Sequence, residues 1–323
     1  MTPLTIVLCF PVEPHHVEQV RRTVPEFTVI PAEQNEIGRL IFQADIFCGH
    51  AKQPIDWPAV VEAGRLQWIQ SSAAGLDHCL HPAVIESNIP VTSASGLFAN
   101  QVAEQTFALL FGLIRSMPAF FQATLERKYE RLATDDLHGK TIGIVGLGGN
   151  GLRIAEMLAP LGNRILATDY WPRRKPNFID ELWSADRLPE LLAQSDVVIL
   201  CIPWNEQTHH LINAETIAHM KPGSYLINVA RGQVVDEPAL IAALQAGKIK
   251  AAGLDVAEVE PLPGDSPLWT MPRVMITPHV GAQSRRRVSD TVDFFCQNLL
   301  RYVQQQPLKN LVDKRLGFPG MED

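Results

Sequence analysis

Short, almost wholly apolar runs recur along the chain, and between them the apolar positions fall at helical spacing. The first series reads LTIVLCF at 4–10, FTVI at 27–30, DIFCG at 45–49, LQWIQ at 66–70 and PVTSA at 90–94. Such runs alternate with helical stretches, which predicts parallel strands covered on both faces by crossover helices. A longer helix is predicted over Gln101–Ile114, where apolar side chains return at helical intervals until Met117 and Pro118 loosen the pattern. A second series follows: TIGIVG at 141–146, RILAT at 164–168, DVVILC at 196–201, YLINV at 225–229, AAGLDV at 251–256 and VMIT at 274–277. It predicts a second parallel sheet, of six strands. Ser284–Val303 is again helical in spacing with no strand series after it, so this helix is expected to return to the first domain.

The expected fold is therefore α/β, with two doubly wound parallel-sheet domains. The first of these, residues 1–99 and 284–323, is expected to be discontinuous, with the second, residues 100–283, inserted into it.

Composition narrows the function. The 323 residues are 46% hydrophobic and 20% charged, enough apolar side chain for two packed cores. The net charge of −7 gives no global support for gripping a phosphate backbone or an anionic bilayer, so neither nucleic acid nor membrane is an expected partner. The longest apolar stretch, Phe107–Ile114, is far short of the roughly 20 residues a bilayer requires. The opening MTPLTIVLCFP lacks a basic start and a small-residue cleavage site, so a cytoplasmic protein is expected. Five scattered cysteines without a CxxC pattern read as buried thiols, with neither a disulfide framework nor a metal site.

Chemistry enters at residues 146–151. Gly146, Gly148 and Gly151 form GxGxxG directly after a strand and directly before the helical run RIAEMLAPL. The first glycine makes the tight turn, the second lets a pyrophosphate approach the backbone, and the third lets helix and strand pack closely. Asp169 ends the next strand, where a carboxylate accepts hydrogen bonds from the adenosine ribose. A carboxylate there repels a 2′-phosphate, so NAD is expected over NADP, although Arg173, Arg174 and Lys175 stand close enough in sequence to receive that phosphate.

Ligands of open α/β sheets sit beyond the carboxyl ends of the strands. Three polar residues stand there: Arg231 after YLINVA, Glu260 after GLDVAEV and His279 after VMITP. Each alone reads as a loop, cap or surface group. Together they supply what hydride transfer to or from a 2-hydroxy acid requires. An imidazole takes the hydroxyl proton, a carboxylate stabilises the imidazolium, and a guanidinium forks onto the substrate carboxylate.

With GLGGNG at 146–151, NVARG at 228–232, GLDV at 253–256 leading to EPLP at 260–263, and PHVG at 278–281, the chain resembles the D-isomer-specific 2-hydroxyacid dehydrogenases over nearly its whole length. The likeness is to the phosphoglycerate dehydrogenase and glyoxylate/hydroxypyruvate reductase kind, without a C-terminal regulatory domain, so feedback by serine is not expected. It implies that residues 1–99 and 284–323 form a flavodoxin-like substrate domain and residues 100–283 an inserted Rossmann domain that binds NAD. The resemblance implies that Arg231 binds the substrate carboxylate and polarises the carbonyl, that Glu260 orients and tunes the imidazole, and that His279 is the acid/base. Asp255 would hold the carboxamide side of the nicotinamide. The segment WIQSSAAGLD at 68–77 is similar to the family's substrate loop, in which the backbone N–H groups of Ala74 and Gly75 would receive the carboxylate; a plain strand-to-helix turn is the other reading. Val102, in VAE at 102–104, resembles the segment under the nicotinamide, with a packing role as the alternative. The same resemblance places Gly149, Asn150, Ile202, Pro203, Thr208, Val229, Ala230 and Gly281 along the dinucleotide.

Departures from the family pattern are few. Asn150 replaces the usual aliphatic residue or arginine, Cys201 and Ile202 precede Pro203 where a histidine is common, and Trp204 replaces a smaller residue. The run Arg285-Arg286-Arg287 reads as a solvated helix face. The activity implied is NAD(H)-dependent interconversion of a small D-2-hydroxy acid and its 2-oxo acid, with a glyoxylate, hydroxypyruvate or 3-phosphoglycerate-like substrate. An NADH-sensing, corepressor-like interaction protein on the same fold is the second reading. Surplus apolar surface between Ala99 and Phe121, including Phe120 and Phe121, predicts a homodimer.

Overall fold

The computed structural model describes residues 3–171 and 174–320; Arg173 lies outside the described residues. The chain forms two compact units, Met1–Leu97 with Ser284–Asp323, and Phe98–Gln283.

In the first unit, β1 (Thr5–Cys9), β2 (Thr28–Pro31), β3 (Ile46–Gly49), β4 (Trp68–Ser71) and β5 (Val91–Thr92) form one sheet in the order β2-β1-β3-β4-β5. All its pairings are parallel, and the order is that of flavodoxin-like sheets. Strand side chains alternate between faces, so Val7, Phe47 and Ile69 join one core with Trp57, Leu76 and Val84. Ile6, Leu8, Ile46 and Trp68 join another with Val292, Phe295 and Leu299 of the helix Arg287–Val303. That helix belongs to this unit because its apolar stripe covers the sheet face that helix Pro14–Thr23 leaves open.

In the second unit, β6 (Thr141–Val145), β7 (Arg164–Asp169), β8 (Glu181–Ser184), β9 (Val197–Leu200), β10 (Ser224–Asn228), β11 (Ile249–Leu254) and β12 (Val274–Ile276) form a seven-stranded sheet. Its order is β12-β11-β10-β9-β6-β7-β8 and every pairing is parallel, the doubly wound arrangement with one strand beyond the usual six. The sequence predicts six strands; the seventh is β8. Its residues ELWS carry only two adjacent large apolar side chains, and as an edge strand it is half-exposed throughout, so no apolar run marks it. The long helix spans Ala99–Ile114 and bends by 69° into a second helix, Met117–Leu125, with Pro118 in its first turn. Leu109, Leu110 and Leu113 pack under Ile144, Ile199 and Ile227. No single helix among the described residues is long and apolar enough to cross a membrane; this bent pair reaches the required length and composition only together.

At the amino ends of these strands Asp135 accepts hydrogen bonds from the Tyr225 hydroxyl (3.0 Å) and Lys250 Nζ (3.1 Å), and pairs with Lys140 at 3.1 Å. Partial burial alone would raise its pKa, but these partners and the Asp136 N–H hold its carboxyl well below the usual carboxylate range. The five cysteines are free, four of them buried and Cys201 partly so. Burial pushes Cys9 up to about 11 and Cys201 to about 12, and raises Cys48, Cys79 and Cys296 as well.

Candidate active site

The glycine loop leaves β6 at Val145. Gly146 has φ +92, and a Cβ there would stand 2.9 Å from the Cys201 carbonyl oxygen, so only glycine turns here without strain. A Cβ on Gly151 would lie 2.0 Å from the Gly146 carbonyl oxygen, whereas one on Gly148 would meet nothing within 4 Å. The loop is thus closed on the protein side and open at Gly148, the cap residue of the ten-residue helix Gly149–Leu158. That geometry fits a pyrophosphate against the helix N-terminus. Asp169 ends β7 and its Oδ2 accepts the Leu147 N–H at 3.0 Å, which holds the acid beside the loop. Arg174 is exposed, and Lys175 donates to the Ile179 carbonyl.

Three strand ends bring the catalytic candidates together. After β10, Asn228 Oδ1 accepts the Ala230 N–H and Asn228 Nδ2 donates to the Arg231 carbonyl, both at 3.0 Å. This side-chain brace shapes the turn that presents Val229, Ala230 and Arg231. After β11, Glu260 Oε1 accepts the Ala257 N–H at 3.2 Å, and a cis Glu260–Pro261 bond follows. After β12, His279 adopts φ +54, and its N–H donates to the carbonyls of Asp255 and Thr277. His279 Nδ1 lies 2.8 Å from Glu260 Oε2. Burial works to raise the Glu260 pKa, but the bond to His279, the charges of His279 and Arg231 and the Ala257 N–H outweigh it and hold the carboxyl below the usual glutamate range. The carboxylate expected from sequence is therefore acted on by both the imidazole and the guanidinium.

Asp255 is 2% exposed. It accepts the Thr277 hydroxyl at 2.6 Å, the Val280 N–H at 3.0 Å and the Gly281 N–H at 2.8 Å. In this geometry the aspartate anchors the turn that carries His279, and Gly281 fits against it because a Cβ would come 2.8 Å from Asp255 Oδ2. Thr208 donates to the Pro203 carbonyl at 2.7 Å and fixes the loop after β9 in which Ile202 lies. The Trp204 indole N–H donates to His209 Nδ1 at 3.2 Å. Val102 is buried in the core face of its helix. In the first unit the Ser71 hydroxyl donates to the Ala73 carbonyl and accepts the Ala73 N–H, both at 3.0 Å, which forms the turn into exposed Ala74 and half-exposed Gly75. Sequence reasoning missed Asn228, Thr277, His210 and Glu258. Their work is on backbone and on other side chains, and only the alternation of Glu258 and Glu260 in one loop hinted at any of it. Among the described residues no cluster of three or more His, Cys, Asp or Glu side chains could hold a metal ion.

Comparison with known proteins agrees with this architecture. Residues 107–281 match the family model for the NAD binding domain of D-isomer specific 2-hydroxyacid dehydrogenases. A glyoxylate reductase of Korarchaeum cryptofilum is 31% identical over 294 residues, 88% of each chain. Glyoxylate/hydroxypyruvate reductase B of Yersinia pestis is 32% identical over 309 residues, covering 92% of this chain and 94% of its own. The crystal structure of a D-isomer specific 2-hydroxyacid dehydrogenase from Xanthobacter autotrophicus Py2, in complex with NADPH and MES, superposes with a TM-score of 0.82 at 29% identity, covering 98% of this chain and all of the other. The chain belongs to the D-isomer specific 2-hydroxyacid dehydrogenase family. It is a 2-hydroxyacid oxidoreductase with an NAD(P)-binding Rossmann domain.

Proposed function

We propose that the protein interconverts a small D-2-hydroxy acid and its 2-oxo acid with NAD(H) as the cofactor it prefers, and that glyoxylate or hydroxypyruvate is the class of 2-oxo acid it reduces. The observation that carries this reading is the 2.8 Å bond between His279 Nδ1 and Glu260, within reach of the Arg231 charge. The names of the Korarchaeum and Yersinia relatives support the substrate class.

The nicotinamide, when bound, supplies the hydride for reduction and takes it back in oxidation. The rest falls to the chain. Gly146, Gly148, Gly149, Asn150 and Gly151 would cradle the pyrophosphate, and Asp169 would hold the adenosine ribose. Val102, Ile202, Pro203, Thr208, Val229, Ala230, Asp255 and Gly281 would line the dinucleotide. With Nδ1 engaged by Glu260, His279 presents Nε2 to the substrate oxygen. It donates the proton there in reduction and removes it in oxidation, while Glu260 stabilises the imidazolium form. Arg231 forks onto the carboxylate and draws charge from the carbonyl oxygen. The preference for NAD rests on the Asp169 carboxylate; the NADPH in the Xanthobacter structure makes the ratio between the two cofactors the decisive measurement.

The protein also works as a homodimer in this reading. Support comes from the helix Met117–Leu125 and the segment after it, where Phe121 is 60%, Leu125 80% and Tyr129 98% exposed. Light scattering at working concentration is expected to give twice the chain mass.

The test of function is a steady-state panel of glyoxylate, hydroxypyruvate, pyruvate and 3-phosphohydroxypyruvate with NADH and with NADPH. Turnover with at least one 2-oxo acid, faster with NADH, is expected. Tight dinucleotide binding without turnover of any of them would overturn the reading and favour an NADH-sensing interaction protein.

A further inference from the structure

Glu258 and Glu260 alternate along one loop of the second unit, and each holds a histidine from a different part of that unit. Glu260 holds His279; Glu258 Oε1 lies 2.6 Å from His210 Nε2. Both histidines have left-handed backbone, φ +54 and +49, a conformation uncommon for residues other than glycine. Glu258 is a hub. Its Oε2 accepts the Glu237 N–H at 3.2 Å, its own N–H donates to Glu237 Oε2 at 3.4 Å, and its carbonyl accepts from Gln233 Nε2 at 2.8 Å. The His210 N–H in turn donates to the Gln233 carbonyl at 2.9 Å, and Asn213 Nδ2 donates to the His210 carbonyl at 3.0 Å.

These bonds tie three loops to one another: the loop after β9, the Arg231 turn after β10 and the Glu260 loop after β11. The last two touch with no slack, because a Cβ on Gly232 would come 1.8 Å from the Ala257 carbonyl oxygen. We propose that His210 and Glu258 are positioning residues: their pair clamps the Arg231 turn to the Glu260 loop and so sets the spacing of guanidinium and carboxylate around the imidazole. The proposal rests on the oxidoreductase reading above. Neither residue touches the reacting atoms. Removing either partner breaks the side-chain bond that joins the loops and leaves a half-buried polar atom without it, and both loops then loosen together.

The test uses the full-length protein with His210→Ala, Glu258→Ala and Glu258→Gln. Both alanine variants are expected to lower kcat/KM for the 2-oxo acid by about 10- to 100-fold while the NADH dissociation constant moves by less than about threefold, since displacements near 1 Å cost that much in rate. Glu258→Gln is expected to recover most of the loss. Its amide keeps an oxygen for the Glu237 N–H and an NH₂ group to bond the His210 ring nitrogen. Unchanged kcat/KM in both alanine variants would overturn the proposal. So would parallel losses of melting temperature, NADH affinity and rate with no recovery in Glu258→Gln. Hydrogen exchange in the same variants gives a readout independent of turnover, with faster exchange expected at Ala257 and Glu258 and none at the glycine loop. Should the wild type reduce no 2-oxo acid, the functional reading fails by itself, and unchanged exchange at those two amides would then overturn the clamp.

Discussion

His279 and Glu260, nineteen positions apart, meet at 2.8 Å because the ends of β11 and β12 lie side by side in the sheet. The bond engages Nδ1, so the ring keeps a single orientation and a single nitrogen for the substrate. His279→Gln is expected to lower kcat by about 100-fold or more, the usual worth of a positioned acid/base, with NADH binding retained. A rate within a few fold of wild type would remove His279 from the role.

In the proposed reaction Glu260 sets the acid limit. Its carboxyl lies below the ordinary value of 4.5, so the folded protein keeps it ionised where an unfolded chain begins to protonate. A depressed carboxyl contributes stability that is full above the unfolded value and disappears as pH falls through the folded one. Loss of activity through protonation of Glu260 is therefore expected only below pH 4.5. In Glu260→Gln the imidazole loses its charged partner, and kcat/KM is expected to fall by about 100-fold across the pH range. Profiles of kcat/KM against pH for the two proteins check both statements.

Cofactor choice should follow Asp169. Asp169→Ala removes the proposed ribose acceptor and the negative charge together, so kcat/KM with NADH is expected to fall about tenfold, the worth of a charged hydrogen bond, while the NADPH to NADH ratio rises. An unchanged ratio would place the discrimination elsewhere.

Much of this was legible in the sequence, for reasons visible in particular residues. The strand VVIL at 197–200 is wholly buried, so its composition announces it. The glycines at 146 and 151 have no room for a side chain, so residue type alone reveals the turn. The edge strand β8 was invisible because half-exposed positions require no apolar run. The aspartate at 255 stands out in the sequence as a candidate, but its grip on the Val280 and Gly281 N–H groups depends on the neighbouring strand end. His210 and Glu258 were missed for the same reason: a pair 48 positions apart leaves no spacing pattern.

Acid stability should depend on Asp135. Its depressed carboxyl contributes stability that is full above the ordinary value of 3.8 and disappears as pH falls through its much lower folded value. Asp135→Asn is expected to cost about 1 kcal/mol at neutral pH, the range of a surface-accessible charged network, and to flatten the decline of melting temperature in acid. Thermal melts from about pH 7 down to about pH 2, a range that runs below the ordinary carboxylates, follow both effects.

Gly232→Ala should be costly. The added methyl meets backbone rather than a side chain that can turn aside, so about 3 kcal/mol of destabilisation is expected, the upper range for overpacking. Calorimetry would register it as a lower melting temperature, and an unchanged transition would show that the two loops can separate freely.

The thiols offer a practical consequence of burial. Deprotonation so far above neutrality leaves almost no thiolate, so maleimide or iodoacetamide should pass over the native chain. Cys9, Cys48, Cys79 and Cys296 belong to one unit and Cys201 to the other. Alkylation mapped by peptide mass would then show which unit opens first under denaturant, with no engineered label.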